Sequence, residues 1–111
     1  MSEEETVVQL EISIEQANQL IKDRDDLYTL IKHPLFSNLV SVGYFEKEAS
    51  NLVLRKAESN TQSNEAQDII LKQIDAVGMF RQYLRGIIKL GDMAEKDKHA
   101  AETAKDEILG E

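Results

Sequence analysis

The longest helical pattern in the chain begins near Glu65 and reaches toward Leu109, and it sets the fold class more firmly than any other feature. On a wheel with Val77 at zero and about 100° per residue, Phe80, Leu84, Ile88 and Gly91 fall within roughly 60° of one direction. Ile70 and Ile74 join that stripe from upstream. Ala76, Met79, Tyr83, Gly86, Ile87 and Leu90 carry apolar character further around. Within residues 76–91, Arg81, Gln82, Arg85 and Lys89 are the polar residues of one sector, at about 40° to 140° from Val77. A helix apolar over more than half its circumference has to be covered on more than one side. The remaining helices can cover part of it, and the rest predicts self-association through Val77, Phe80, Tyr83, Leu84, Ile87, Ile88 and Leu90.

The basic edge Arg81, Arg85, Lys89 has two readings in a chain of net charge −8. Acids of the same protein or of a neighbouring copy can neutralise it, or it is a docking edge for an external acidic surface. Gly78, Gly86 and Gly91 each weaken helical propensity by roughly 1 kcal/mol relative to alanine. They share no face, so they form no simple glycine seam. From Asp92 onward acids, lysines and alanines dominate, with Met93, Ile108 and Leu109 as the only large apolar residues. The pairs Asp92–Lys96, Glu95–Lys98 and Glu102–Lys105 are spaced to support an exposed helix. That tail is expected to project, or to be ordered by a partner.

Residues 8 to 14 alternate: Val8, Leu10, Ile12 and Ile14 are apolar, and Gln9, Glu11 and Ser13 are polar. Period two is the pattern of a half-buried strand. With no second strand to follow, Val8, Leu10 and Ile12 would pair with another chain, or the segment would pack on helices as an extended arm. Ser13 and Gln16 form a capping-box pattern for a helix from about Ile14 to Lys32. Pro34 stops that helix and is suited to opening the next segment, PLFSNLVSV, within which Gly43 ends or bends the helix. Helical spacing resumes through Phe45, Ala49, Leu52 and Val53. The run ESNTQSN, residues 58 to 64, is the clear loop, and Asn64 with Gln67 suggests the next cap.

The resulting expectation is one mainly α domain: a helical hairpin or bundle with one long C-terminal helix and a short N-terminal β-strand or extended arm. Its parts would be a domain over 1–91 with the arm at 1–13, and an acidic helical extension over 92–111. With 111 residues and 41% apolar content, the chain can bury one modest core. It has no cysteine, which removes disulfides and thiolate metal sites. The acidic N-terminus lacks the pattern of a signal peptide, and no apolar run is long enough to span a bilayer.

Site chemistry is sparse. His33 and His99 have no second histidine at ligand spacing, and His33 before Pro34 reads as a helix-end residue. Asp23, Asp25 and Asp26 lack the glycine and closing glutamate of a calcium loop and read as a solvated face. Glu46 and Glu48 point in different directions on a helix. No phosphate-binding glycine loop or nucleophile elbow is present. No catalytic residue, metal ligand or cofactor is therefore expected, and neither is an enzyme. The negative charge opposes nucleic-acid binding. A strand followed by two helices outlines a ribbon-helix-helix regulator, but Gln9, Glu11 and Ser13 are poor groups for meeting DNA.

The stretches HPLF, GYFEKEASNLVLRKAE and QIDAVGMFRQYLRGIIKLGDMAE resemble a family of small tailed-bacteriophage proteins encoded near virion-assembly genes. The resemblance covers about residues 27 to 109 and brings no catalytic or ligand residue. It implies a phage structural or assembly protein, in the virion or the host cytoplasm, whose partners are further copies and other phage proteins. An inhibitor that blocks a host protein through an acidic surface is the alternative, and a DNA-binding regulator comes third.

Overall fold

The computed structural model describes residues 2–110, and among them all regular structure is helical. The order is α1 (Glu3–Lys32), a single turn α2 (Pro34–Phe36), a π-helical segment (Ser37–Glu48), α3 (Ala49–Lys56), a 3-10 turn (Ser59–Thr61) and α4 (Asn64–Leu109). The mainly α expectation holds. The expected strand does not: residues 8–14 lie inside α1. Val7, Leu10, Ile14, Ala17, Ile21 and Arg24 are the buried or half-buried positions there, alternating by three and four residues, while Val8 and Ile12 are exposed. The helical period wins because it continues for three turns beyond the alternating stretch.

α1 starts further upstream than Ser13. Ser2 Oγ accepts from Glu5 N–H at 3.1 Å and the Ser2 carbonyl accepts from Thr6 N–H, which caps the helix, with Glu3, Glu4 and Glu5 in its first turn. Carboxylates there complement the helix dipole. Ser13 sits mid-helix, its hydroxyl donating back to the Gln9 carbonyl at 3.0 Å. α1 ends at Lys32, and His33 Nδ1 accepts from Leu35 N–H at 3.1 Å to cap α2, with Pro34 at its first position.

The chain forms two compact units, residues up to Tyr28 together with those from Gly86, and Thr29–Arg85. The first unit pairs α1 with the last part of α4. Glu11 meets Lys105 at 3.1 Å, and Arg24 meets Asp92 and Glu95 at 2.9 and 3.0 Å, so the two helices run antiparallel. Their buried residues are mostly small: Ala17, Gly91, Ala94 and Ala101, with Leu27 and Arg24. The stretch after Asp92, expected to project or wait for a partner, is therefore covered by α1. Asp92 and Glu95 also reach across to Arg24, and Glu95 in addition feels the charge of Lys98 on its own helix.

The second unit centres on Leu52 of α3 and Ile70 of α4, 1% and 3% exposed. Tyr44, Phe45 and Phe80 form an aromatic cluster with centroids 5.5–6.1 Å apart. Gly43 does not end a helix but lies within the π-helical segment. A Cβ at Gly43 would sit 2.9 Å from the Asn38 carbonyl oxygen, five residues back. The loop closes on itself through side chains. Thr61 Oγ1 donates to the Arg55 and Glu58 carbonyls, Gln62 to those of Lys56 and Glu58, and Gln67 to those of Lys56 and Thr61. These bonds occupy carbonyls that the end of α3 leaves without a helical partner. Ser63, one residue before Asn64, caps α4 through Oγ and its carbonyl.

Candidate functional site

The structure separates the residues expected to act together on α4. In the second unit Val77 and Leu84 are half-buried. Phe80 is 38% exposed and packs in the aromatic cluster, whereas Tyr83 stands 66% exposed. In the first unit Ile87 and Ile88 are half-buried and Leu90 is exposed. Arg81, Arg85 and Lys89 are exposed and form no ion pair with a described residue. The strand-pairing residues Val8, Leu10 and Ile12 are helical, and only Leu10 is half-buried.

A second apolar stripe runs beside the one chosen from the wheel. Ile69, Ala76, Met79 and Tyr83 are all exposed, with Met79 at 68% and Ile69 at 57%. Leu35, Leu39, Val53 and Leu54 are also exposed in this unit. Such large apolar side chains are common singly on a surface; here Ile69, Met79 and Tyr83 recur along one side of α4.

The first unit contains a polar arrangement that sequence reasoning missed. The Arg24 side chain is 9% exposed, yet its guanidinium reaches Asp25 Oδ1 at 3.1 Å, Asp92 Oδ1 at 2.9 Å and Glu95 Oε1 at 3.0 Å. Its aliphatic stem lies against Gly91, where a Cβ would collide with Cβ, Cγ and Cδ of Arg24. Glycine lets the guanidinium pass over α4 to carboxylates one and four residues further on. The hydrogen bond from Arg24 holds the Glu95 carboxyl below the usual carboxylate range, and the carboxylates in turn raise the arginine. The available signal was the heptad spacing that makes Arg24 an inward position, combined with Gly91-Asp92-x-x-Glu95.

Charge is divided between the units. Residues 1–28 and 86–111 carry 15 acids against six Lys or Arg, a net of −9, while residues 29–85 carry six acids against seven, a net of +1. In the acidic unit Leu10, Ala17, Leu20, Ala94 and Ala101 line a groove of about 510 Å³ with Asp97 at its edge. Asp23 and Asp26 of the acidic run are exposed and take local partners, Gln19 and Lys22. Among the described residues no group of three or more His, Asp or Glu is placed to hold a metal ion, and no helix is long and apolar enough to cross a membrane. Comparison with known proteins returns no matching family model, curated protein or solved structure.

Proposed function

We propose that this chain is a non-enzymatic assembly protein of a tailed bacteriophage, acting by helix-mediated self-association and by docking to other phage proteins. The observation that carries the assembly role is the set of large apolar side chains left exposed within Thr29–Arg85, among them Leu35, Leu39, Val53, Leu54, Ile69, Met79 and Tyr83. The phage attribution rests on the resemblance carried by residues 27 to 109. Light scattering at tens of micromolar tests self-association, with a strict monomer as the contrary result. Mass spectrometry of purified virions tests the setting: many copies per particle are expected, and absence from particles would remove the virion role.

The net charge of −9 on the acidic unit favours a second reading, in which that unit blocks a basic surface of a host protein. Its test is capture of one host protein from lysate, with binding that weakens as salt rises. The ribbon-helix-helix reading is not carried forward, since residues 8–14 are helical and supply no strand to enter a groove.

A further inference from the structure

We propose that α4 pairs antiparallel with α4 of a second copy along Ile69, Lys72, Ala76, Met79 and Tyr83. This rests on the self-association reading and specifies the face, the occupant and the polarity. These five positions are separated by three, four, three and four residues, which is the spacing of a coiled-coil seam. All five are exposed, and the same spacing continues in the sequence through Gly86 to Leu90.

Charge points to a second copy and to its direction. The unit carrying this stripe has a net charge of only +1, so two copies approach without strong repulsion, whereas two units of net −9 repel. Within the seam the one charged residue is Lys72. Parallel pairing would set Lys72 against Lys72. Antiparallel pairing about the Ala76–Met79 step sets Lys72 against Tyr83 of the other copy, twice by symmetry. A lysine against a tyrosine ring is attractive, and the small Ala76 then faces the long Met79. One arrangement thus resolves both the charge and the volume along the stripe.

The absence of native cysteine makes the test clean. Single-cysteine chains Lys72→Cys and Tyr83→Cys are oxidised separately, and also after the two have been mixed and allowed to exchange subunits. Both positions are exposed, so the helix itself is not disturbed. The expected result is a cross-linked dimer from the mixture and none from either variant alone. In the antiparallel pair each position lies about 16 Å along the axis from its own copy, too far for a disulfide. Cross-linking of each variant with itself would show parallel pairing and overturn the proposal. No cross-link in a sample that light scattering shows to be oligomeric would place the contact on another face, overturning the proposal while leaving self-association standing. A monomer in light scattering would remove both.

Discussion

The two units solve the problem of stability by different means. In the acidic unit, α1 and the end of α4 approach over alanine and glycine, and Arg24 with Lys105 ties acids of one helix to the other. In the near-neutral unit, a leucine, an isoleucine and three aromatic rings form the centre, and further large apolar side chains are left outside. The first kind of packing buries little area per residue and stays well solvated. The second gains more from burial and still leaves large apolar side chains such as Leu39, Leu54 and Met79 exposed. Negative charge and exposed apolar side chains are thereby concentrated on different stretches of one short chain.

The sharpest way to break this contrast is at Leu52. Leu52→Ala should destabilise by about 2–5 kcal/mol, because a fully buried leucine leaves a cavity when truncated. Urea unfolding followed by circular dichroism measures it, and a loss below about 1 kcal/mol would mean that the near-neutral unit has no real centre. Gly91→Ala comes next. Collision with the Arg24 stem should outweigh the gain in helix propensity, giving a loss of about 1–3 kcal/mol. Gly78→Ala is its control: a Cβ there meets nothing within 4 Å, so the helix should gain about 1 kcal/mol. If the two glycine variants shift the melting temperature in the same direction, close packing at Gly91 is wrong.

The smallest effect concerns acid. Arg24 depresses the Glu95 carboxyl, so the stability from this contact is fully present above the unfolded glutamate value of about 4.3. It is lost as pH falls through the lower, folded value. Glu95→Gln should therefore melt below the native chain at pH 7, and the gap between them should close in acid. A gap that persists undiminished below the carboxylate range would show that Glu95 acts through packing instead.

Local signals made much of the fold legible. Pro34 ended α1 where expected, the polar run at 58–64 became the self-closing loop, and α4 spans nearly the range its periodicity indicated. The strand expectation failed because Val8, Leu10, Ile12 and Ile14 satisfy period two by coincidence. Val7, Leu10, Ile14, Ala17, Ile21 and Arg24 satisfy the heptad over a longer span. The opening Ser2-x-x-Glu5 has the capping-box pattern, and its Ser2 Oγ does accept from Glu5 N–H, a start signal masked by its acidic composition. Covering of the 92–110 region was hidden for another reason: alanine and glycine add little to a hydrophobic pattern, although they permit the closest helix approach. Of the apolar positions on α4, the structure half-buries Val77 and Leu84 and leaves Ile69 and Met79 exposed, together with Tyr83, which the sequence had already singled out. A wheel ranks faces by polarity and cannot know which of two apolar faces the rest of the chain will cover.

The passage of Arg24 over Gly91 has a consequence for ancestry. Two positions far apart in the chain, one admitting no side chain and the other carrying a long cation, constrain each other sterically. In any diverged relative, a larger residue at 91 should come with a shortened one at 24, and the acids at 92 and 95 should then be released to vary. Arginine in the first helix followed by Gly-Asp-x-x-Glu in the last gives a short fingerprint by which kin could be sought when overall identity has faded.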